Sequence, residues 1–595
     1  MQTIEHYLNA ASASLQNGQL NAALKYAGEA TKLAPKHPHA NYFLGVALFQ
    51  SGDAKSAIKA FRKAVKTDPN NAGFQNALGS VYQAQGKLND ARQCFIQATR
   101  KKPDFAGAFN NLGVVLKQLG QLSAAETAYR KAVSIQADYG DALNNLGLLL
   151  QDMRKLDEAI VCFERAVASG QCQSKAHSNL LLTTNYSATI DPETVASLHK
   201  RYGDALISLH GPENQTLRQA RGRKNLKRIG YISPDFRTHS VAYFFEPLIA
   251  AHDHTRYEIF CYYNHPRQDE TTIRIKQHAD HWRDVAGLDT EALIDQITGD
   301  KIDVLVDLSG HTGRNRLDVF ARRAAPMQVT WLGYPNTSGL ETMDFRIVDA
   351  VADPPEISDT VNTEQLIRLP EGFLCYGGDP SVPVASDPPC ARNHYVTFGS
   401  FNNLTKVTPK VIDTWAGILK AVPDSRLILK STRINSHEAR DLLHSHFSEL
   451  GIDRQRIQLY ANIPSVKEHL ALYNEVDIAL DPFPYNGTTT TFEALWMGVP
   501  VLTLAGQTHA ARVGTSILHH IGHAELIADS VVAYQTLASE LASNRDRIGQ
   551  YRAGLRADLQ NSAMANAKTF AVHFEQALES AWRAEEQTPT GGKPQ

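Results

Sequence analysis

The chain has 595 residues, with 60 basic and 62 acidic side chains and a formal net charge of −2 at pH 7. This length predicts more than one domain, and the balanced charge argues against a general nucleic-acid binder or a protein that binds membrane surfaces. No stretch is apolar for long enough to span a bilayer, and the first residues lack the pattern of a secretion signal. The six cysteines are scattered without a CxxC pair, which is typical of reduced thiols in a cytoplasmic protein.

The first part of the chain repeats with a period of 34 residues. Residues of the same kind recur in register, namely Gly45, Gly79, Gly113 and Gly147, then Pro35, Pro69 and Pro103, and then Phe61, Phe95, Tyr129 and Phe163. This is the tetratricopeptide pattern, in which the two helices of each repeat cross closely at small residues and an aromatic ring fills the gap. The sequence predicts a repeat array over residues 1–182, with a last helix around Ser174–Leu182.

One position of the array carries side chains that suit peptide binding. Asn111, Asn145 and Asn179 occupy equivalent positions in successive repeats. The concave face of such an array binds extended peptides or other proteins, so we expect these asparagines to form a ladder along a peptide backbone. The alternative is that they are only polar surface positions of the solenoid. Phe43 and Ala77 stand at the same position earlier, which confines any ladder to the last repeats, and the array also offers a surface for a homodimer.

A first α/β lobe is predicted over residues 226–390, after linker helices at residues 183–225. Short apolar strands alternate there with helical segments, which indicates a Rossmann-like lobe with a parallel sheet. Open α/β sheets place their functional sites in the loops that follow the strands. In this lobe those loops carry Asp235, His239 and His311.

A second Rossmann-like lobe is predicted over residues 391–562. Residues 377–389, between the lobes, are rich in Gly, Pro, Ser and Asp, as a hinge would be. Residues 563–595 are predicted to form a terminal helix and a polar tail without ordered structure.

The second lobe contains the stretch that points most directly to a ligand. A buried strand ends at Leu480, and a helix is predicted over Thr491–Met497, with Asn486, Gly487 and four threonines, Thr488–Thr491, between them. A helix N-terminus presents unpaired N–H groups that suit a phosphate, and Gly487 lets the backbone approach it. We expect the hydroxyl groups of Thr489 and Thr490 to bind the same oxygens. An ordinary capped helix is the alternative interpretation.

Five motifs carry a family resemblance. They are Ser233–Ser240 (SPDFRTHS), Asp307–Thr312 (DLSGHT), Trp331–Thr337 (WLGYPNT), Phe398–Lys406 (FGSFNNLTK) and Asn486–Thr491 (NGTTTT). The chain resembles the protein O-GlcNAc transferase/SPINDLY family, in which tetratricopeptide repeats precede a glycosyltransferase body. The resemblance implies an α-helical tetratricopeptide superhelix followed by an α/β GT-B body of two Rossmann-like lobes. Asn403 stands where the animal enzymes have Gln, so the motifs are more similar to the SPINDLY branch.

The resemblance implies a set of residues that bind the nucleotide sugar. Lys406 matches the family lysine that neutralises charge on the leaving phosphate. Thr488, Thr489 and Thr490 match phosphate contacts, Glu493 is expected in the first turn of the helix beside the ribose, and Asn403 beside the base. His469 and Arg512 match or lie near further nucleotide positions. The lobes carry no convincing DxD motif, so we expect neither a metal ion nor another cofactor besides the nucleotide sugar.

Transfer to a hydroxyl group also needs a proton acceptor. His239 matches a family histidine that is discussed as a base or as a contact to the donor, and Asp235 lies four residues before it. His311 follows another strand of the same lobe, and His177, at the end of the array, matches a further proposed base. The sequence leaves the choice among them open, together with a relay through water or the leaving phosphate.

The resulting expectation is an inverting, metal-independent protein O-glycosyltransferase that moves one sugar to Ser or Thr of a protein acceptor. UDP-GlcNAc is the first choice of donor, and GDP-fucose, the donor of plant SPINDLY proteins, is the alternative. Transfer to a small molecule or glycan is a second enzymatic alternative. A repeat scaffold with an inactive transferase body is an alternative from another class of protein.

Overall fold

The computed structural model describes residues 3–170, 173–211, 213–221 and 225–583. The chain divides into two compact units. One comprises residues 1–176 together with residues 435–439, and the other comprises residues 177–434 and 440–595. In the described part of the chain, no helix is both long enough and apolar enough to cross a bilayer.

The first unit is an array of antiparallel helix pairs. Its helices are α1 (Ile4–Gln16), α2 (Leu20–Leu33), α3 (Pro38–Gln50), α4 (Ala54–Thr67), α5 (Ala72–Ala84), α6 (Leu88–Lys101), α7 (Ala106–Gln118), α8 (Leu122–Ile135), α9 (Gly140–Asp152) and α10 (Leu156–Ala168). The recurring glycines lie where the two helices of a pair touch. A Cβ on Gly79 would lie 2.7 Å from the buried ring of Phe95, and one on Gly113 would lie 2.6 Å from Tyr129. Because the aromatic ring fills the space that the glycine leaves, these positions tolerate no side chain without movement of the ring.

Three helices follow the array, namely α11 (Gln173–Thr184), α12 (Pro192–His210) and α13 (Gln215–Arg218). The Asp191 side chain accepts from the backbone N–H of Thr194 and caps α12. Helix α12 packs tightly on the first lobe, because a Cβ on Gly203 would overlap the carbonyl group of Gly339. From His177 onward the chain, apart from residues 435–439, belongs to the same compact unit as the two lobes.

The first lobe has a seven-stranded parallel sheet in the order β3-β2-β1-β4-β5-β6-β7. In chain order its elements are β1 (Arg228–Ser233), α14 (Ala242–Ala251), β2 (Glu258–Tyr263), α15 (Glu270–His278), β3 (His281–Asp284), α16 (Thr290–Gly299), β4 (Val304–Asp307), α17 (Leu317–Ala321), β5 (Met327–Thr330), β6 (Phe345–Asp349), α18 (Pro355–Ser358) and β7 (Gln365–Leu369). The central strands β1, β4 and β5 are apolar and buried along most of their length, as expected for strands covered on both faces. Strand order reverses between β1 and β4, which places the loops after both strands at one crevice.

The second lobe has a six-stranded parallel sheet in the order β10-β9-β8-β11-β12-β13. Its elements are α19 (Pro389–Asn393), β8 (Thr397–Ser400), α20 (Pro409–Ala421), β9 (Arg426–Lys430), α21 (His437–Glu449), β10 (Ile457–Tyr460), α22 (Val466–Ala471), β11 (Ile478–Leu480), α23 (Thr489–Trp496), β12 (Val501–Leu504), α24 (Val513–His520), β13 (Ile527–Ala528), α25 (Val531–Ser543), α26 (Arg545–Asn561) and α27 (Ala567–Arg583). Here the order reverses between β8 and β11, so the loops after these two strands form the corresponding crevice.

Helix α27 returns from the second lobe to pack on α14 of the first. Glu575 of α27 accepts from His252 Nδ1 at 2.8 Å, and His252 Nε2 accepts from the Tyr231 hydroxyl group at 2.7 Å. All three side chains are buried. The terminal helix therefore connects the two lobes. Residues 584–595 of the predicted tail lie outside the described residues.

The predicted fold is confirmed: a tetratricopeptide-type array precedes two Rossmann-like lobes. One local prediction is wrong, because the helix after the threonine run starts at Thr489 and not at Thr491. Glu493 consequently lies beyond the first turn. The sequence also left out strands β3, β6, β7 and β13, each of which has at most five residues and lies at or next to the edge of its sheet.

Candidate functional site

The loop between β11 and α23 is held by a buried carboxylate. Asp481 accepts from the backbone N–H of Gly487 at 2.6 Å and from the hydroxyl group of Thr503 at 2.8 Å. Burial raises the pKa of Asp481 above its ordinary value, and the charge of Lys406 acts in the opposite direction. Gly487 must lack a side chain, since a Cβ would lie 2.6 Å from the Thr490 hydroxyl oxygen.

Asn486 connects this loop to the neighbouring segments. Its side chain donates to the Pro482 carbonyl at 3.1 Å and accepts from the Gly514 N–H at 3.3 Å. Its own N–H donates to Ala510, while its carbonyl accepts from the Lys406 ammonium at 2.7 Å. The Asn-Gly pair is thus the point where Lys406, the loop and α24 meet.

Lys406 lies after β8, half-buried at the crevice of the second lobe. Its ammonium nitrogen is 4.0 Å from the centre of the Tyr485 ring, over the face of the ring. Burial lowers the pKa of Lys406 from 10.5 to about 8, and the Asp481 carboxylate acts against this shift. The lysine is therefore a largely charged group at neutral pH that has been partly removed from water.

The N-terminus of α23 leaves polar groups unused. Thr488 stands at the N-cap position, yet its side chain makes no capping hydrogen bond. Thr490 donates to the Asn402 side chain at 3.0 Å, whereas the hydroxyl group of buried Thr491 has no hydrogen-bond partner among the described residues. An ordinary cap would satisfy these groups, so this helix start has the features of an anion site.

Glu493 lies in a buried cluster on the next turn of α23. Its carboxylate is 2.9 Å from His469 Nε2 and accepts from the Tyr473 hydroxyl group at 3.4 Å. Phe401 packs on Tyr473, with ring centres 4.3 Å apart. His469 Nδ1 is buried without a partner in the described part of the chain. The structure thus brings the predicted residues Glu493 and His469 together.

Asn403 and Arg512 have local roles in the structure. Asn403 is exposed, and its side-chain oxygen accepts from the N–H and the hydroxyl group of Thr405. Arg512 donates to the carbonyl groups of Val351 and Gly506 at 2.8 and 3.1 Å. Arg512 of the second lobe therefore contacts the first lobe at Val351. A second contact between the lobes joins His509 to the Asp353 carboxylate at 2.5 Å.

His239 lies in the loop between β1 and α14. Its Nδ1 accepts from the Val241 N–H at 3.3 Å and lies 3.6 Å from the Asp235 carboxylate, which is too far for a hydrogen bond. Burial lowers the pKa of His239, so the neutral ring dominates at pH 7 with its proton on Nε2. Helix α14 packs on α23 through Phe244 and Phe492, whose ring centres are 5.3 Å apart. The helices that follow these two loops are thus in contact.

His311 is surrounded by aromatic rings. Its Nε2 donates to the Ser338 carbonyl at 2.8 Å, and the rings of His199, Tyr202 and Tyr334 lie 5.0–5.2 Å away. Burial lowers its pKa well below the ordinary value. His177, in α11, lies 4.8 Å from the Tyr202 ring. His177 and His311 therefore contact the same tyrosine, and only His177 is partly exposed.

The asparagines of the array form hydrogen bonds from one repeat to the next. Asn111 Nδ2 donates to Asn76 Oδ1 at 3.0 Å, and Asn145 Nδ2 donates to Asn110 Oδ1 at the same distance. Asn179 lies on α11, half-buried. The paired amides fix how Asn111 and Asn145 are oriented, with each side-chain oxygen turned away from this bond.

Sequence reasoning missed several groups of the site. Asp481, Tyr485 and Asn402 contact predicted residues directly, and Tyr473 holds Glu493. Two signals were available in the sequence: Asp481 directly follows a predicted strand, and Tyr485 directly precedes the Asn-Gly pair. Among the described residues, no group of three or more His, Cys, Asp or Glu side chains is arranged to hold a metal ion.

Comparison with known proteins places the chain in a family. The family model for glycosyl transferase family 41 matches residues 194–381 and 390–574. Tetratricopeptide models match residues 8–72, 48–112, 106–139 and 140–171.

Individual relatives agree with this match. The chain is 40% identical over 412 residues to the probable UDP-N-acetylglucosamine–peptide N-acetylglucosaminyltransferase SPINDLY of Oryza sativa subsp. japonica, covering 69% of this chain and 44% of the rice protein. It is 25% identical over 475 residues to the UDP-N-acetylglucosamine–peptide N-acetylglucosaminyltransferase of Caenorhabditis elegans, covering 60% and 41%. The chain thus spans less than half the length of these relatives.

A solved structure extends the comparison over most of the chain. It is a lysine-to-methionine mutant of the O-GlcNAc transferase of Thermobaculum terrenum, 34% identical, with a TM-score of 0.75, and the match covers 86% of this chain and 97% of that one. The family model covers more than half of the residues, and this structure agrees with it in architecture. The chain therefore belongs to glycosyl transferase family 41.

Proposed function

We propose that the protein transfers a single sugar from a nucleotide sugar to Ser or Thr hydroxyl groups of protein acceptors. The observation that carries this proposal is the approach of the Lys406 ammonium to the Asn486 carbonyl, directly before a helix start whose threonines are not used for capping. UDP-GlcNAc is the proposed donor, because the names of the rice and C. elegans relatives specify it.

The proposed reaction inverts the sugar. The acceptor oxygen attacks the anomeric carbon on the face opposite the diphosphate, the bond from that carbon to the phosphate oxygen breaks, and the electron pair remains on the diphosphate. Lys406 and the N-terminus of α23 stabilise the charge that develops there. The hydroxyl groups of Thr489 and of the unpartnered Thr491 supply hydrogen bonds to the phosphate oxygens, and Thr490 does so when its hydroxyl group turns from Asn402 to the phosphate. Gly487 keeps the approach open.

Metal independence is part of the proposal. An ammonium group and a helix N-terminus together supply the positive charge that a divalent cation would otherwise provide. The ammonium group contacts the β11–α23 loop at Asn486, three residues before α23 begins. The chain's own groups are therefore sufficient to hold the leaving diphosphate.

We assign His239 as a contact to the substrates. Because Nδ1 accepts from Val241, the neutral ring can donate from Nε2 but cannot accept there. His311 is buried and already donates to Ser338, so we assign it a structural role. The hydroxyl proton then passes to water, to the diphosphate or to His177. Asp235 holds the loop that carries His239, through its contact with Arg237 at 3.3 Å.

The decisive experiment is a transfer assay with labelled UDP-GlcNAc and a mixture of protein acceptors, with and without EDTA. Transfer of label to protein that chelation leaves unchanged is the expected result. Activity that is lost in EDTA and returns with Mn²⁺ or Mg²⁺ would refute metal independence. Neither transfer nor donor hydrolysis with any nucleotide sugar would favour the scaffold alternative.

The asparagine pairs of the array are proposed to hold the acceptor backbone. The Asn111→Ala/Asn145→Ala double variant should lower kcat/KM for protein acceptors about 10-fold, because two amide groups that pair with a peptide are lost. Donor hydrolysis should stay unchanged. The control is Asn70→Ala, whose side chain pairs with Lys101 in an exposed turn. Equal losses in both assays would show that these asparagines only support the array.

A further inference from the structure

Tyr485 occupies a position beside Lys406 that the donor contacts do not explain. It precedes Asn486 in the β11–α23 loop, and its ring face lies 4.0 Å from the Lys406 ammonium. The carbonyl group of the next residue accepts from the same ammonium at 2.7 Å. Two adjacent residues therefore hold the lysine from two directions.

The Tyr485 ring is itself held by a second tyrosine. Tyr186, which lies just after α11 and is buried, stacks on it with ring centres 4.9 Å apart and an angle of 20°. The neighbouring Asn185 donates to the Tyr334 hydroxyl group at 2.9 Å, and that group is 2.7 Å from His199 Nε2. Tyr186 thus belongs to a buried network of the first lobe and α12, which braces the Tyr485 ring.

The arrangement opposes the effect of burial on the lysine. Burial favours the neutral amine, whereas an aromatic face, a carbonyl oxygen and the Asp481 carboxylate all favour the ammonium. A cation over an aromatic face gains most when water is excluded. The ring must stay in place for this effect, and the stacking on Tyr186 restrains it beside Lys406.

We propose that Tyr485, braced by Tyr186, is a positioning residue that holds the Lys406 ammonium charged and aimed at the leaving diphosphate. The proposal rests on the proposed role of Lys406 in sugar transfer. Tyr186 lies in the segment between α11 and α12. In this proposal, that segment therefore helps to position the lysine that stabilises the leaving diphosphate.

The test compares Tyr485→Leu with Tyr485→Phe in donor hydrolysis, with kcat/KM measured from pH 6 to pH 10. Wild-type activity should fall as pH rises through about 8, because the ammonium is then lost. Tyr485→Leu keeps the site apolar but removes the ring. The fall of kcat/KM at high pH, here called the alkaline limb, should therefore occur at a pH lower by about half a unit to one unit. Its kcat should fall roughly 3- to 10-fold. Tyr485→Phe keeps the ring face and should retain the wild-type limb.

The matched control is Tyr395→Leu. The guanidinium of Arg426 lies 4.1 Å from the centre of the Tyr395 ring, so this variant removes a similar cation–ring contact. The contact lies near the N-terminal ends of β8 and β9, whereas Lys406 follows the C-terminal end of β8. It should leave the pH profile unchanged. Tyr186→Leu should shift the limb in the same direction as Tyr485→Leu.

Two outcomes would overturn the inference. One is an unchanged limb in Tyr485→Leu while the variant still binds UDP and keeps the wild-type melting temperature. The other is an equal loss in Tyr485→Leu and Tyr485→Phe, which would mean that the hydroxyl group matters and the ring face does not. Failure of the proposed function looks different, because Lys406→Ala would then retain activity whatever happens at Tyr485.

Discussion

Lys406→Ala is expected to lower kcat for sugar transfer by about 10²–10³, the usual cost of losing one group that stabilises transition-state charge. The ammonium lies directly before the α23 N-terminus, and alanine leaves the departing diphosphate with one positive group fewer. The fold should survive. Removal of the lysine raises the pKa of Asp481 further, so that carboxyl group takes up a proton and no unpaired charge stays buried. Transfer and donor hydrolysis, measured beside a melting curve, test both statements.

Lys410→Ala is the matched control for this variant. Lys410 is an exposed lysine near the start of α20 in the same lobe, four residues further along the chain, and its loss should leave kcat unchanged. Lys406→Arg keeps a charge that does not titrate below pH 12 and should abolish the alkaline limb near pH 8. Activity of Lys406→Ala within a few-fold of wild type would remove this lysine from the mechanism.

The second large effect concerns the nucleotide. Calorimetry should show that UDP binds at least about 100-fold more tightly than GDP, because a pocket built around specific polar partners rejects a base that leaves those partners unpaired. In this chain the proposed partners are Asn403, exposed at the crevice, and His469, whose Nδ1 is buried without a partner among the described residues. His469→Ala should weaken binding of the preferred nucleotide, and Asn403→Ala should reduce discrimination between the two.

GDP binding is the informative alternative. Tight GDP binding without measurable UDP binding would reverse the order of donors and make GDP-fucose the first to assay. The chain is 40% identical to SPINDLY of rice and 28% identical to the SEC protein of Arabidopsis thaliana, and the names of both relatives specify UDP-N-acetylglucosamine. Weak and equal binding of both nucleotides would refute the assignment of the pocket.

Much of the architecture depends on local sequence patterns and could therefore be predicted from the sequence. A 34-residue period places a glycine against an aromatic ring in each helix pair, and Gly79 against Phe95 repeats at Gly113 against Tyr129. Apolar strands, Asn-Gly and a threonine run likewise predicted strand, turn and helix between Val476 and Met497. Periodicity and turn chemistry act over a few residues, so the sequence alone determines them.

The start of α23 shows where local reasoning stops. Four successive threonines offer several N-cap positions, and sequence alone cannot choose among them. In the fold, Thr490 donates to Asn402 on the neighbouring strand loop, and the helix begins at Thr489. Glu493 consequently lies one turn deeper and contacts His469 and Tyr473.

The partners of the candidate catalytic groups were decided only by tertiary structure. Lys406 meets Tyr485 and Asn486 because β8 and β11 are adjacent in the sheet, although some 80 residues separate them in the chain. Tyr186 reaches Tyr485 from about 300 residues away. The sequence determined which chemical groups follow which strands. Strand order and helix packing determined which of those groups face one another, and therefore their charge, their protonation and their partners.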